Sequence, residues 1–402
     1  MDTDSGKPER PSPAKSGTLL EILAVSTKLG LTSFGGPIAH LGYFREEYVR
    51  RRGWLDERSY TELVALCQFL PGPASSQVGI GIGLLRGGWL GGVAAWIGFT
   101  LPSVLLLIVF ALFMQTFDLA EAGWIHGLKI AAVAIVAQAV LGMGKNLAPD
   151  RTRATFVVLS AGAVLLWPSA VVQIAVIAAA AVCGLLLRFP AADMPPPEVP
   201  VGKKFAAACL ILFALLLAGL PLLRAGTGSL EIALADAFYR SGSLVFGGGH
   251  VALPLLEREV ASPGWIGETD FLAGYGAAQA VPGPLFTFAS YLGWMIGGMQ
   301  GMLIATAAIF LPAFLLIAGT LPFWSTLRRS LPMQRALHGV NAAVVGLLLA
   351  ALYDPLWTSS ISSGGDFALA AGLFLLLSVW RLPPWIVVAL GAAGGWLLGL
   401  AF

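Results

Sequence analysis

FLPGPASSQ, residues Phe69–Gln77, interrupts a chain that is otherwise strongly apolar. Proline lacks an amide hydrogen and its ring clashes with the preceding turn, so two prolines flanking a glycine end a helix here. A second stretch, AVPGPLFTF at Ala280–Phe288, repeats the interruption in the second half of the chain. The two breaks organise the interpretation of the whole sequence.

The composition is that of a membrane protein. Hydrophobic residues make up 57% of the 402 residues and charged residues only 11%, whereas about 25% of the residues in a soluble domain are charged. A helix needs roughly 20 apolar residues to cross a bilayer, and long apolar runs recur along the chain at 90–114, 130–143, 157–187, 205–223, 303–323, 340–352 and 367–402. The sequence therefore predicts an all-α polytopic membrane protein.

The segment SFGGPIAHLGYFREEYVRRRGWLDERSYTELVALCQFLPGP, Ser33–Pro73, occurs twice in related form. With one gap it aligns with VFGGGHVALPLLEREVASPGWIGETDFLAGYGAAQAVPGP, Val245–Pro284. The shared positions are FGG, GW (Gly53-Trp54 and Gly264-Trp265), a glutamine (Gln68 and Gln279) and PGP. The match continues to the Leu-Pro pairs at 101–102 and 311–312, which indicates an internal duplication.

Each half is predicted to hold an even number of membrane crossings. The apolar run 205–223 lies between the halves without a counterpart in either, so one extra crossing turns the second half upside down. We therefore expect two inverted-topology repeats, at 17–190 and 229–402, joined by a linker with a transmembrane helix at 191–228. Secondary transporters use this arrangement to build a binding site at the bilayer midplane. Residues 1–16 are polar and proline-rich and are expected to form a disordered cytoplasmic tail.

The basic residues predict how the broken segments lie in the membrane. If the segments around FGG and PGP are re-entrant, only Arg224, Arg240 and Arg258 fall on the outer face and nearly all other Lys and Arg fall on the inner face. Cytoplasmic loops carry an excess of Lys and Arg. A fully spanning first segment would move the arginines of 45–58 outside and weaken this bias, so broken, re-entrant helices fit better.

Broken helices expose helix ends, and an N-terminal end carries unpaired N–H groups that bind anions. Glycines let backbone amides approach a ligand closely, and hydroxyl and amide side chains surround both breaks. The predicted substrate-binding residues are Phe34, Gly35, Gly36, Gln68, Pro71, Gly72, Pro73, Ser75, Ser76, Gln77, Phe246, Gly247, Gly248, Gly249, Gln279, Pro282, Gly283, Pro284 and Thr287. Proline kinks with tight glycine packing are the alternative interpretation; the repetition of both motifs favours a site.

Ionisable residues inside apolar segments are candidates for proton coupling or charge transfer. They are Lys28, Glu62, His126, Lys129, His250 and His338. Each of them is alternatively an interfacial residue or one with a structural partner. We expect no metal site, because no His, Cys and carboxylate cluster has ligand spacing.

Two series of motifs carry a resemblance to a known family: FGGPIAHLGYFREEYV, GW, Q and PGP in the first half, then FGGGHVALP, GW, Q and PGP in the second. From about Leu19 onward, the sequence closely resembles the chromate ion transporter family. In that family two homologous halves of opposite orientation export chromate from bacteria. The resemblance, to the long two-domain form, implies a multi-pass protein of the bacterial inner membrane that confers chromate resistance. Pro37 and Ile38 in the first copy stand where the second has Gly249 and His250, so the halves need not contact substrate equally.

Efflux is expected to be driven by the proton-motive force or the membrane potential, for example as an antiporter, because the sequence has no P-loop. Sulfate has the same shape and charge as chromate and is the expected competitor. A sulfate or other oxyanion carrier and an anion channel of this architecture are the alternatives. We expect no enzyme activity, cofactor or nucleic-acid partner; membrane lipid and a homodimer are the remaining expected partners.

Overall fold

A computed structural model describes residues 18–33, 36–116, 123–167, 169–186, 202–245, 252–261, 263–323 and 331–401. The regular secondary structure in these ranges is helical. Five helices there are long and apolar enough to cross a membrane: Ala74–Thr116, Gly123–Lys145, Lys203–Thr227, Leu285–Phe323 and His338–Ser360. The prediction of an all-α polytopic membrane protein is confirmed. The predicted tail and part of both FGG segments, namely Phe34, Gly35 and 246–250, lie outside the described residues.

The described residues of the first repeat form seven α-helices: α1 (Leu19–Thr32), α2 (Gly36–Phe44), α3 (Glu57–Phe69), α4 (Ala74–Thr116), α5 (Gly123–Leu147), α6 (Arg151–Leu166) and α7 (Ala170–Leu186). The connecting helix is α8 (Lys203–Thr227). The second repeat contains α9 (Leu230–Leu244), α10 (Ala252–Leu256), α11 (Glu268–Ala280), α12 (Phe288–Thr320), α13 (Leu331–Ala351), α14 (Gly364–Ser378) and α15 (Pro384–Ala401). π-Helical turns, Arg45–Arg51 and Glu257–Ala261, continue α2 and α10, and a 3₁₀ turn, Leu285–Thr287, precedes α12.

The two longest helices, α4 and α12, are each folded into a hairpin. In α4 the backbone turns at Gly87 (φ −138°, ψ 21°) and Gly88 (φ 62°, ψ −156°). The turn in α12 has nearly the same angles, at Gly297 (φ −138°, ψ 24°) and Gly298 (φ 59°, ψ −146°). Glycine adopts the positive φ of the second residue at little cost. Each long helix is therefore a short arm and a long arm that run in opposite directions.

Backbone contacts within α4 and α12 confirm these hairpins. Gly83 and Gly91 touch so closely that a Cβ on either would overlap the other's carbonyl oxygen, and Gly293 and Gly301 do the same in α12. Residues eight positions apart in a straight helix would lie about 12 Å apart. The sequence predicted an apolar helix from residue 90 but missed the glycine turn that precedes it.

The PGP segment of the first repeat is the tip of a hairpin formed by α3 and the short arm of α4. Trp54 precedes α3, and the Arg86 guanidinium at the end of the short arm stacks over its ring at 4.8 Å. A Cβ on the adjacent Gly87 would lie 3.0 Å from Ile22 in the first turn of α1. The chain thus enters and leaves at one end of the bundle, which we call the α1 end (Ile22, Trp54 and Arg86).

Helix α1 and the α2 segment form a second hairpin. Ser26 Oγ lies 3.3 Å from the Tyr48 hydroxyl, and Arg52 Nη1 donates to Glu21 Oε1 over 3.3 Å. Residues later in α1 thus contact residues earlier in the α2 segment, which means that the chain reverses between them. The reversal falls between the end of α1 at Thr32 and the start of α2 at Gly36.

The second repeat opens toward the opposite end of the bundle. A Cβ on Gly297 or Gly301 would lie 3.6 Å from Leu234, near the start of α9. On the same short arm, Trp294 Nε1–H donates to Gln115 Oε1 over 3.1 Å, and Gln115 ends the long arm of α4. That arm is about 40 Å long, so Leu234 and Trp294 mark a different end, called the α9 end. The two PGP hairpins therefore enter from opposite ends.

Helix α8 crosses the bundle at its periphery. A Cβ on Gly319, near the end of α12, would lie 3.1 Å from the Ala206 carbonyl oxygen, and Arg224 at the other end of α8 pairs with Asp236 of α9. Only 11% of the most apolar 18-residue stretch of α8 is buried inside the protein, compared with 67% of the corresponding stretch of the span His338–Ser360. Helix α8 thus connects the two repeats while exposing most of its apolar surface.

The remaining helices interlock the repeats. Helix α5 packs against α14 and α15 of the second repeat, while α13 packs against α6 and α7 of the first. Glycines allow this approach: a Cβ on Gly123 would lie 2.8 Å from the Gly395 carbonyl oxygen, and one on Gly346 would lie 2.5 Å from that of Val157. Small residues at such crossings are typical of membrane helices. The sequence repeats 17–190 and 229–402 therefore share one packed structure.

Candidate functional site

The two PGP loops meet in the interior, where each is hydrogen bonded to the other repeat. Gly72 N–H donates to the Val245 carbonyl over 2.6 Å, and Gly283 N–H donates to the Ser33 carbonyl over 2.9 Å. Ser33 and Val245 are the residues immediately before the two FGG segments. The two bonds are related by the internal repeat. They bring both helix breaks and the ends of α1 and α9 to one place, which we call the crossing.

These contacts form because α1 and α9 end inside the protein. Ser33 (φ −88°, ψ 96°) and Val245 (φ −78°, ψ 119°) have extended backbones after the last helical turn. Their carbonyls have no intrahelical partner, and a buried unpaired carbonyl is costly. The amides of Gly72 and Gly283 satisfy them. At the same break, Ser103 Oγ donates to the Pro282 carbonyl over 2.6 Å.

The start of α4 has free backbone donors surrounded by buried polar side chains. The first backbone hydrogen bond of this helix runs from Gln77 N–H to the Pro73 carbonyl, 2.9 Å, so the amides of the three preceding residues have no intrahelical acceptor. Ser75, Ser76 and Gln77 are buried. Gln77 Nε2 donates to the Pro71 carbonyl over 2.8 Å and thereby braces the loop around Gly72.

The second break differs in chemistry. Thr287 uses both its amide and its hydroxyl on the Pro284 carbonyl, at 3.0 and 2.8 Å. Gln279 is half-buried and hydrogen bonded to Tyr275, and its Nε2 has no partner among the described residues. Gln68, at the matching position in α3, is exposed, so the structure does not place the two glutamines in equivalent surroundings.

His40 lies against the crossing, although sequence reasoning did not select it. It is 1% exposed, its Nδ1 lies 3.2 Å from Ser75 Oγ, and its ring packs edge-on against Phe99 with 5.5 Å between centroids. Ser33, Thr100 and Ser103 were missed as well. The available signal was weak: a histidine inside the FGGPIAH motif, and hydroxyl residues beside Leu101-Pro102.

Four of these buried residues have a polar atom without a hydrogen-bond partner in the part of the chain that the structure describes. The atoms are Ser33 Oγ, His40 Nε2, Ser76 Oγ and Thr100 Oγ1. Buried polar atoms are normally hydrogen bonded. This concentration at the crossing is therefore the main chemical feature of the interior.

Lys28, a candidate for charge transfer, is part of a structural ion pair. Its Nζ donates to Glu47 Oε2 over 2.7 Å, and Arg52 Nε donates to Glu47 Oε1 over 2.9 Å. In the second repeat, Arg240 and Arg224 bind Glu259 in the same way, at 2.8 and 3.4 Å. Each ion pair joins the first helix of a repeat to the π-helical turn after its FGG segment.

The other ionisable candidates lie away from the crossing or outside the description. His126 Nε2 of α5 lies 2.9 Å from Asp366 Oδ1 of α14, so it joins the two repeats. Lys129 on α5 and His338 on α13 are half-buried. The Glu62 side chain and His250 lie outside the described part of the structure.

The cap of α6 shows how a loop carboxylate is held. Asp150 accepts hydrogen bonds from the Arg153 backbone N–H over 2.9 Å and from its guanidinium over 2.5 Å. These bonds, the backbone one first, hold the pKa of the Asp150 carboxyl below its usual range. Asp150 therefore stays ionised and keeps its cap on the helix N-terminus.

The chain is similar in sequence to known proteins over nearly its whole length. The profile of the family described as chromate transporter matches residues 20–185 and 232–396, one match in each repeat. The chromate transport protein of Pseudomonas aeruginosa is 30% identical over 94% of this chain and 92% of its own length. The probable chromate transport protein of Synechococcus elongatus is 27% identical, with 94% and 95% covered. The chromate transport protein of Cupriavidus metallidurans is 27% identical, with 96% and 94% covered. No solved structure matches significantly. The chain belongs to the chromate transporter family.

Proposed function

We propose that this protein is a secondary transporter that exports chromate across the bacterial inner membrane through the crossing of its two PGP loops. The observation that carries the proposal is the reciprocal pair of hydrogen bonds, Gly72 to Val245 and Gly283 to Ser33. Inverted repeats with broken helices at their interface are the usual construction of a secondary transporter site. Family membership supports chromate as the substrate.

A dianion needs the kind of surroundings that the crossing offers. Moving one charge into a medium of low dielectric constant costs on the order of 20 kcal/mol by Born estimates. Free amides at a helix start offset this cost because they combine donors with the positive end of the helix dipole. The amides before Gln77 and the buried hydroxyls beside them supply such donors.

The membrane potential is sufficient to drive export of this anion. An inside-negative potential of about 100 mV contributes about 2.3 kcal/mol per charge, or about 4.6 kcal/mol for a dianion. That free energy corresponds to a gradient of roughly a thousandfold or more. We place the α1 end toward the cytoplasm, because its arginines include Arg45, Arg50 and Arg51, as the positive-inside rule favours. Coupling to the proton-motive force and a role in chromate resistance are part of the same proposal.

Sulfate is the second candidate substrate. Backbone N–H groups and hydroxyls recognise charge and tetrahedral shape, which sulfate shares with chromate. The donors at the start of α4 do not distinguish the central atom. We therefore expect sulfate to compete for the same site.

Chromate flux into inverted membrane vesicles that contain the protein tests the proposal. Uptake is expected to saturate with chromate, to fall with excess sulfate and to fall when a protonophore collapses the driving force. Vesicles from the same cells without the protein are the control. Linear flux that ignores sulfate would favour an anion channel, and uptake that persists without potential and pH gradients would contradict the coupling.

A further inference from the structure

We propose that the oxyanion site is one-sided: the first repeat binds the anion with His40 Nε2, Ser76 Oγ and Thr100 Oγ1, and the second repeat supplies an apolar wall. This inference rests on the proposed function, since it names the residues that bind the anion at the crossing. The repeated motifs do not predict a role for His40 or Thr100. They also do not predict that the two repeats contribute differently to anion binding.

The proposed donor atoms of the first repeat are buried and unpaired among the described residues. His40 is 1% exposed, Ser76 2% and Thr100 3%. The named atom of each makes no hydrogen bond of acceptable geometry among the described residues, and the His40 ring lies next to the Ser33 backbone. An unsatisfied buried polar group costs about 1–3 kcal/mol. All three atoms can donate a hydrogen bond, so one ligand with several acceptor oxygens would satisfy them together.

The three donor residues lie on neighbouring segments of the first repeat. His40 Nδ1 contacts Ser75 Oγ at 3.2 Å, and Ser76 is the next residue. The His40 ring also packs on Phe99, which precedes Thr100. A Cβ on Gly283 would lie 3.3 Å from the Phe99 carbonyl oxygen. The segments that carry His40, Ser76 and Thr100 therefore lie next to one another and next to the second PGP loop.

The two repeats carry different side chains at the positions of the proposed donors. Aligning FGG with FGG pairs Ser33 with Val245 and His40 with Ala252; aligning the glycine turns pairs Ser76 with Phe286 and Thr100 with Phe310. The second-repeat partners Val245, Ala252, Phe286 and Phe310 are all buried and apolar. The rings of Phe286 and Phe310 pack at 6.1 Å between centroids. When PGP is aligned with PGP, Ser76 instead matches Thr287, whose hydroxyl already donates to the Pro284 carbonyl over 2.8 Å. In both alignments the matched side chain of the second repeat has no donor left for an anion among the described residues.

Ser75 acts as a positioning residue for His40. When the Ser75 hydroxyl donates to Nδ1, the imidazole proton resides on Nε2, and Nε2–H becomes a donor toward the anion. This tautomer follows from the proposed role of Nε2. Substituting Ser75 would therefore weaken anion binding without removing a direct contact.

The test is anion binding to the purified full-length protein in detergent, measured by calorimetric titration with chromate and with sulfate. His40→Asn, Ser76→Ala and Thr100→Val are each expected to raise Kd about tenfold or more, because each removes a hydrogen bond to a charged group. His40→Gln is expected to retain more affinity than His40→Asn, since its Nε2 reaches closer to the position of the imidazole Nε2.

Matched controls separate binding from folding. Ser241→Ala and Thr320→Val remove buried hydroxyls that already bond the carbonyls of Ala237 and Leu316, and they should leave Kd unchanged. Without anion, Ser76→Ala and Thr100→Val should unfold at the wild-type temperature or higher, because they remove unsatisfied groups.

The outcomes also separate this inference from the proposed function. Unchanged Kd in His40→Asn, Ser76→Ala and Thr100→Val, or no binding of either anion by the wild type, would overturn the one-sided site. If vesicle flux is nevertheless saturable, the proposed function stands without it. If the variants lose binding but the wild type carries no flux, the site stands and transport does not.

Discussion

Replacing Gly283 with alanine is expected to abolish chromate transport and to destabilise the protein by about 2 kcal/mol or more. Gly283 has φ +97°, a conformation that residues with a Cβ rarely adopt. Its new methyl group would overlap Ser103 Oγ and lie 3.3 Å from the Phe99 carbonyl oxygen. The variant must therefore move the loop whose amide bonds Ser33. Thermal unfolding in detergent and vesicle flux measure the two effects.

Gly72→Ala provides an internal comparison at the equivalent loop. Gly72 has φ +117°, but the nearest atom to its Cβ would be Gln77 Nε2 at 3.1 Å, the end of a flexible side chain. We expect a smaller loss than for Gly283→Ala. Gly142→Ala, in helix α5 with no heavy atom within 4 Å, is the neutral control. Equal stability of Gly283→Ala and Gly142→Ala would contradict the packing described for the crossing.

Replacing Asp236 with asparagine is expected to destabilise the second repeat by about 3 kcal/mol. The Asp236 side chain is only 1% exposed. It accepts hydrogen bonds from Arg240 at 2.9 and 2.8 Å and from Arg224 at 3.1 Å. Asparagine keeps the shape but removes a negative charge, which leaves Glu259 alone between two arginines. Thermal unfolding and the yield of folded protein after extraction measure the loss.

Glu57→Gln is the matched control for that substitution. Glu57 also pairs with an arginine, Arg45, at 2.8 Å, but both side chains are about half exposed, 51% and 49%. Exposed ion pairs contribute little, because water solvates the separated charges nearly as well. We expect no measurable change in unfolding temperature. If Asp236→Asn is as stable as Glu57→Gln, the buried ion cluster does not hold the α9 end together.

Asp236 and Gly283 stabilise different parts of the second repeat. Asp236, Arg224 and Arg240 join α8, α9 and the π-helical turn after α10 at the entrance of the second hairpin. Gly283 lies at the tip of the neighbouring PGP hairpin. Loss of the ion cluster should therefore reduce stability first, whereas loss of Gly283 should also reduce transport per folded molecule.

The sequence by itself determined the membrane class, the duplication and the two PGP breaks. These properties are local: apolar length predicts spanning helices, and proline removes a backbone donor wherever it occurs. The Gly87-Gly88 and Gly297-Gly298 turns were also present as repeated glycine pairs, but a pair of glycines inside an apolar run does not by itself distinguish a turn from close helix packing.

Only the tertiary structure decided which polar residues meet. His40 and Ser75 are 35 residues apart and Gly283 and Ser33 are farther, so their contacts depend on how the hairpins pack inside the protein. The same packing assigned Lys28 to an ion pair with Glu47 and His126 to Asp366. Burial and partner choice are properties of the packed structure, because side chains distant in sequence compete for the same donors and acceptors.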